Sequence, residues 1–233
     1  MNSRNRIIYL LVKHGKISKK EALLALADGQ VRLNNQVSYE NELVGQYDSL
    51  FINNNCLING QRFVYQKLYK PVGIECTLQH SIPNSLSHFL NLEFSDLFHI
   101  GRLDKNSEGL IILTNDGHIC NKVIHPQKHI KKEYIVKLES NINHEFKEKM
   151  ENGVSILGTQ TLPCELEIID KTTCKITLIQ GLNRQIRRMC FELGNYVVSL
   201  KRISIGEIRL DHLNPGELKP LDQTEIDWLR NLP

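Results

Sequence analysis

At 233 residues, the chain is long for one small domain and suits a small unit followed by a larger one. Its net charge of +3 is too small to identify a partner by itself, and its hydrophobic fraction of 41% can build real cores. The N-terminal apolar run is short, so we expect neither a signal peptide nor a membrane span. The six cysteines form no CxxC pair, which argues against a zinc site and favours buried thiols in a reducing cytoplasm.

The first 60 residues predict two helices followed by a small sheet. Helical periodicity covers 3–14, and a capping box at Ser18 begins a second helix over 19–28. We expect Leu23 and Leu24 on the buried face of that second helix. The predicted strands are 30–33, 36–37, 49–52 and 56–58.

From residue 61 onward, strands alternate irregularly with helices, which predicts an α+β unit with a mainly antiparallel sheet. The apolar run Leu110–Leu113 is typical of a strand buried on both faces. We place the domain boundary at Gly60, which gives units 1–60 and 61–233. The other predicted strands are 62–69, 131–138, 162–169, 174–179, 196–200 and 203–208. The predicted helices are 81–91, 117–124, 143–153, 183–193 and one that begins after a cap at Asp222.

A polar loop precedes the apolar strand, within the stretch GRLDKNSEGLIILTNDG at 101–117. Asp104 follows Arg102 in this loop, and a loop fixed to a core strand can position a reactive carboxylate. A charged surface turn is the simpler interpretation of an isolated Arg-Leu-Asp. Glu108 and Asp116 lie nearby, so an acid and base pair of the glycoside hydrolase kind also stays open.

Basic residues cluster in two tracts of the second unit. The tract 122–137 contains five lysines against Glu133, and the tract 181–209 contains six basic residues against two glutamates. Two basic segments that line one cleft would attract a polyanion, most simply a nucleic acid. The N-terminal unit also carries lysines. For these, an ordinary solvated helix face is the alternative to binding a polyanion.

Four motifs follow one another along the chain: KPVG at Lys70, the stretch that contains Asp104, KKEYIV at Lys131, and GLNRQIRRMCFELGNYVVSLKRISIG at Gly181. In that order and spacing, the chain resembles the bacterial ribosomal-RNA pseudouridine synthases. The segment GKISKKEALLALADGQVRLNNQV resembles the alpha-L RNA-binding domain, the fold of ribosomal protein S-four, which one branch of these enzymes carries at its N-terminus. The fourth motif is closest to the F subfamily of the large-subunit enzymes.

The resemblance implies an isomerase that converts a flipped uridine to pseudouridine without a metal or cofactor. It implies Asp104 as the catalytic carboxylate, Arg187 as its cationic partner and Tyr134 as the residue at the base. Whether the carboxylate attacks the sugar, attacks the ring or removes a proton stays open. The implied RNA contacts are Arg102, Lys70, Arg184, Arg188, Lys19, Lys20 and Arg32.

The substrate implied by the resemblance is large-subunit ribosomal RNA near the peptidyl-transferase region, with a tRNA anticodon-loop uridine as a second target. We expect a cytoplasmic monomer without membrane contact. The competing hypothesis is a non-catalytic RNA-binding protein that acts in ribosome assembly or translation. The set of Asp104, Tyr134 and Arg187 favours the enzyme, because a carboxylate among basic residues would repel phosphate in a pure binder.

Overall fold

The chain is present as a computed structural model that describes residues 5–34, 36–45, 47–60, 63–90, 94, 96–124 and 128–232. It contains two compact units that divide between Phe63 and Val64, whereas the sequence predicts the boundary at Gly60. Across these described ranges, no helix is both long and apolar enough to cross a bilayer.

The N-terminal unit is formed by two helices and a four-stranded antiparallel sheet of order β2-β1-β3-β4. Apolar residues of both helices and of the first and third strands share one core. The elements are α1 (Ile7–Gly15), α2 (Lys19–Ala27), β1 (Val31–Leu33), β2 (Gln36–Val37), β3 (Leu50–Ile52) and β4 (Asn55–Ile58).

Helix α2 begins at the predicted capping box. The Ser18 hydroxyl accepts from the Glu21 backbone N–H at 3.2 Å, and the Ser18 N–H donates to the Glu21 carboxylate at 2.7 Å. The helix buries the face that carries Ala22, Ala25 and Leu26. Leu23 and Leu24 are exposed, so their predicted burial is wrong. The reason is that one narrow helical face is enough to cover the small core.

The C-terminal unit is built on a nine-stranded sheet, and its main path has the order β11-β12-β8-β13-β7-β5-β15. Strand β14 pairs with β13, and β6 pairs with β7. All pairs are antiparallel except β13 with β7, which confirms the mainly antiparallel α+β prediction. The strands are β5 (Tyr65–Lys70), β6 (Phe98–Ile100), β7 (Glu108–Thr114), β8 (Lys132–Leu138), β11 (Glu165–Ile168), β12 (Thr173–Leu178), β13 (Val197–Ile205), β14 (Ile208–Arg209) and β15 (Leu218–Pro220).

Within the described residues of this unit, four α-helices and a hairpin accompany the sheet. Helix α4 buries Phe146 and Met150, and β7 buries the whole run Leu110–Leu113, both as predicted. The helices are α3 (Gly117–Ile124), α4 (His144–Glu151), α5 (Gln185–Glu192) and α6 (Gln223–Arg230), and the hairpin is β9 (Ser155–Ile156) with β10 (Thr159–Gln160).

Three predicted elements differ from the structure. The helix expected over 81–91 is only a 3-10 turn at Leu86–Phe89, and residue 91 lies outside the described ranges. The two strands expected over 196–200 and 203–208 are one strand through 205, because β13 pairs continuously with β8 despite two bulges. Strands β6, β9, β10 and β15 were not predicted, since such short strands depend on their partners more than on their own sequence pattern.

Gly109 allows the parallel contact between β7 and β13. It has φ of +110°, and a Cβ atom there would lie 2.2 Å from the carbonyl oxygen of Arg202. The register pairs Arg202 directly with Gly109. This close approach brings β13 beside the strand that follows the Asp104 loop.

Candidate active site

Asp104 lies in the loop between β6 and β7, and the loop is tied to its surroundings on both sides of this residue. Leu103 is buried, and its N–H donates to the Cys76 sulfur at 3.2 Å. The Asp104 carbonyl accepts from the Ser107 N–H at 3.0 Å, which closes a turn. The side chain of Asp104 keeps 28% of its surface exposed, so a substrate can reach it.

Two arginines of the α5 region approach the same oxygen of Asp104. Nη1 of Arg184 lies 3.4 Å from Oδ2, and Nε of Arg187 lies 3.8 Å from it. Arg184 caps α5 with a left-handed backbone at φ +51°, which is uncommon for a residue other than glycine. The structure therefore brings Asp104, Arg184 and Arg187 together, although about 80 residues separate them in the chain.

Arg187 is held by backbone and side-chain oxygens. Its guanidinium donates to the Asn106 carbonyl at 2.8 Å, the Ser107 hydroxyl at 3.2 Å and the Val197 carbonyl at 3.2 Å. Burial is the main cause that lowers the pKa of Arg187, followed by the like charge of Arg184, while Asp104 acts in the opposite direction. A half-buried cation with fixed hydrogen bonds can orient a carboxylate without moving itself.

A cleft of about 770 Å³ opens at this loop, within the range of roughly 300–1,000 Å³ that is usual for ligand sites. Tyr134 of β8 lines it and is buried, with Ile176 and Arg202 as its partners on the neighbouring strands. Arg102 also lines the cleft and is exposed. Asp104, Tyr134 and Arg102, which the resemblance names as site residues, thus line one cavity.

Three further cations line this cleft, Lys105, Lys132 and Arg202, and the sequence does not predict them as site residues. Arg202 is 2% exposed and donates to the Leu110 carbonyl at 2.8 Å and the Arg102 carbonyl at 3.4 Å. Its Nη2 has no hydrogen-bond partner among the described atoms. Lys132 donates to the Ile130 carbonyl at 3.1 Å, and burial followed by the charge of Arg202 lowers its pKa to about 8. The signal for Lys132 was its position two residues before Tyr134, on the same strand face.

Lys70 does not line this cleft, so its prediction as an RNA contact is wrong. Its side chain has no exposed surface, and its ammonium donates to the carbonyls of Pro71 and Ile74 at 2.8 Å each and of Lys105 at 3.5 Å. Burial lowers its pKa. Lys70 therefore fastens the turn after β5 to the residue that follows Asp104.

Arg188 lies on the outer side of α5. Its guanidinium donates to the backbone carbonyl of Asn183 at 3.1 Å and to the Asn183 side chain at 3.3 Å. It lines a smaller groove next to the cleft, and Arg184 lines both cavities.

The acid and base pair of the hydrolase hypothesis does not form. Glu108 accepts from the Tyr69 hydroxyl at 2.8 Å, and Asp116 is buried and accepts from the Tyr65 hydroxyl at 2.7 Å. Neither carboxylate lines the cleft that contains Asp104. Each is engaged by a tyrosine and is absent from the cavity.

In the N-terminal unit, Lys19 and Lys20 are exposed in the first turn of α2. Arg32 is half-buried, donates to the Asn54 side chain at 2.9 Å and lies 5.3 Å from the centre of the Phe51 ring. The two lysines are accessible to a polyanion, whereas Arg32 is partly committed to its neighbours.

Comparison with known proteins connects this geometry with one reaction. The sequence profile described as RNA pseudouridylate synthase matches residues 65–192. The dual-specificity RNA pseudouridine synthase RluF of Escherichia coli (strain K12) is 35% identical over 227 residues, which cover 97% of this chain and 78% of that protein. The ribosomal large subunit pseudouridine synthase B of Bacillus subtilis (strain 168) is 30% identical, with 97% and 96% covered.

A third relative is the ribosomal small subunit pseudouridine synthase A of Haemophilus influenzae (strain ATCC 51907 / DSM 11121 / KW20 / Rd), at 28% identity over 96% of this chain and 99% of that protein. A crystal structure of a pseudouridylate synthase superposes with a TM-score of 0.69, at 28% identity, over 96% of this chain and 99% of that one. The regions matched by these relatives extend over both compact units, whereas the sequence profile matches residues of the second unit only.

Proposed function

The chain belongs to the RNA pseudouridylate synthase family, and we propose that Asp104 is the carboxylate with which it isomerises uridine in RNA. One observation carries the assignment: the accessible carboxylate of Asp104 lies against two guanidinium groups, at a cleft whose wall contains a buried tyrosine. An isomerase of this kind breaks the bond between N1 and the sugar, turns the uracil, and joins C5 to the sugar. The proton lost from C5 is balanced by one gained at N1.

Asp104 acts on the sugar or the ring as a nucleophile or a base, and its fixed loop sets the distance. Arg187 and Arg184 keep its carboxylate oriented, since both contact Oδ2. Tyr134 presents its ring in the cleft, where it stacks on the flipped uracil or exchanges a proton with it. Arg102, exposed at the rim, contacts the strand from which the uridine is extruded.

The proposed substrate is a specific uridine in large-subunit ribosomal RNA, and a tRNA anticodon-loop uridine is the second target. The RluF relative is named for dual specificity and the Bacillus relative for the large subunit, whereas the Haemophilus relative is named for the small subunit. We place the modified uridine in a loop, because RNA helices hide the base edges. The protein is proposed to act as a monomer in the cytoplasm.

The N-terminal unit is proposed to be an alpha-L RNA-binding domain. Its two helices and small sheet, with Lys19 and Lys20 exposed at the start of α2, suit phosphate contacts with little sequence preference. Arg32 is the third proposed contact, at a surface shared with Phe51.

The decisive experiment measures tritium release from uracil C5 in total RNA of a strain that lacks this protein. Wild type should release tritium and Asp104→Asn should release none, while Asp170→Asn, which removes an exposed carboxylate in the turn before β12, should match wild type. Sequencing of the modified RNA then names the uridine. Release by Asp104→Asn at the wild-type rate would remove Asp104 from the mechanism.

A further inference from the structure

A second groove lies next to the cleft, and neither Asp104 nor Tyr134 lines it. Its volume is about 370 Å³, and it is formed by the outer side of α5, the turn of the β9–β10 hairpin and the start of β13. We call it the flanking groove, and the residues that line it include Leu157, Arg184, Arg188, Phe191 and Tyr196.

The flanking groove displays two aromatic rings to solvent. Phe191 is 58% exposed and Tyr196 is 56% exposed, and the rings meet edge to face with their centres 5.7 Å apart. Large aromatic side chains contribute most to stability when they are buried. Exposed rings that touch each other, with basic residues around them, therefore indicate a binding surface.

The two rings are held in place by the backbone beneath them. Helix α5 packs Met189 and Cys190 into the core, which directs Phe191 outward. The buried Asn195 ties the following turn, since its N–H donates to the Cys190 carbonyl at 2.9 Å and its side chain accepts from the Ser140 N–H at 3.1 Å. Tyr196 comes directly after this anchor, so binding requires little ordering of the platform.

The charge around the rings suits a polyanion. Arg184, Arg187 and Arg188 line the flanking groove, and the opposing carboxylate there is Glu192. Arg184 lines the cleft as well, and its guanidinium contacts Asp104. Arg184 therefore borders both the cleft and the flanking groove.

We propose that the flanking groove binds single-stranded RNA next to the flipped uridine, with a base stacked on the face of Phe191 or of Tyr196 and the RNA phosphates on Arg184 and Arg188. The proposal rests on the proposed role of Asp104, because that role places the uridine on the other side of Arg184. Neighbours of a flipped nucleotide stay covalently attached and have lost a stacking partner. An aromatic platform with flanking cations replaces that partner for any base, since every base has a π-face.

The test compares variants that remove the rings with variants that keep only their apolar surface. In the full-length chain, Phe191→Ala with Tyr196→Ala should weaken binding of a short oligouridylate about fivefold or more. The leucine pair, Phe191→Leu with Tyr196→Leu, should lose a similar factor because leucine offers no flat face. Ile169→Ala, at an exposed aliphatic residue of the same unit outside the groove, should bind like wild type.

Turnover separates this proposal from the proposed function. With large-subunit RNA transcript, the alanine pair should raise KM while kcat for tritium release stays at the wild-type value. If wild type releases no tritium, the proposed function fails. If wild type releases tritium and the alanine pair keeps both affinity and KM, or if the leucine pair binds normally, the flanking groove does not stack bases.

Photo-crosslinking tests the contact in the unmutated protein, so it does not depend on how the variants fold. Transcripts carry 5-iodouridine at single positions on either side of the modified uridine. We expect a crosslink to Phe191 or Tyr196 from a position adjacent to the target. Crosslinks confined to residues outside the flanking groove would overturn the proposal.

Discussion

Replacement of Lys70 by methionine should destabilise the protein and also slow its reaction. Lys70 is fully buried, and two of its three carbonyl partners accept at 2.8 Å. Two charge-assisted bonds at roughly 1.5–3 kcal/mol each give a gross loss of about 3–6 kcal/mol. Burial lowers the pKa of Lys70, so the ammonium pays a desolvation cost that methionine avoids. We therefore expect a net loss of about 2–4 kcal/mol in the free energy of unfolding.

The effect on turnover follows from the third partner. The Lys105 carbonyl lies 3.5 Å from the ammonium and directly follows Asp104, so loss of Lys70 releases one side of the catalytic loop. A shift of about 1 Å in a reacting group lowers the rate on the order of 100-fold. We expect kcat for tritium release, corrected for the folded fraction, to fall about 10- to 100-fold.

Lys67→Met is the matched control, because Lys67 is also a buried lysine of β5. It pairs with Glu225 at 2.7 Å and Asp211 at 2.8 Å, away from the Asp104 loop. Its loss should destabilise the protein, as measured by urea unfolding, and leave kcat of the folded protein unchanged. If Lys70→Met matches wild type in both stability and kcat, the structural role assigned to Lys70 is wrong.

Three further predictions concern charge and backbone. The pKa of Lys132 is lowered to about 8, so this lysine loses its charge as the pH rises through that value. We therefore expect kcat/KM to fall above about pH 8. In Lys132→Arg, which stays charged, this decrease should be absent. Charge reversal of Lys19 and Lys20 should lower RNA affinity about tenfold at low salt and leave turnover at saturating RNA unchanged. Equal charge reversal of two lysines on α4 should leave RNA affinity unchanged. Gly109→Ala should lower the free energy of unfolding, measured with urea, by more than ~3 kcal/mol, because its Cβ would lie 2.2 Å from the β13 backbone. Gly158→Ala, whose Cβ would meet open space, should lower it by about 1 kcal/mol through its positive φ alone.

Elements with a local cause could be predicted from the sequence. Capping boxes at Ser18 and Asp222 begin their helices as expected, because both hydrogen bonds of each box form within four consecutive residues. The run Leu110–Leu113 forms a buried strand because it is apolar on both faces. The association of Asp104 with Arg187 was not visible in spacing or periodicity and came from the resemblance.

The predictions that failed depend on contacts between distant segments. Lys70 and its turn have the same sequence signals whether the ammonium points to solvent or inward. In the structure the ammonium bonds at 2.8 Å to its own turn, at Pro71 and Ile74, and the Lys105 carbonyl, 35 residues away, lies 3.5 Å from it. The sequence does not distinguish Arg202 from the other five basic residues of its tract. In the structure, the pairing of β13 with β8 places Arg202 in the wall of the cleft. Sequence patterns give the faces of a strand, whereas the partner strands determine which face meets a cavity.

The charges in the cleft explain how a carboxylate can work on a phosphate-bearing substrate. Glu75 lies in the cleft but is paired with Lys105 at 2.9 Å, so Asp104 faces the remaining cations. These cations are Arg102, Lys132, Arg184 and Arg202. A protein that only bound RNA would gain affinity by replacing Asp104, because the carboxylate repels phosphate. The excess of cations offsets that repulsion for the RNA backbone, while the loop leaves the Asp104 carboxylate partly exposed, where the flipped nucleotide can reach it.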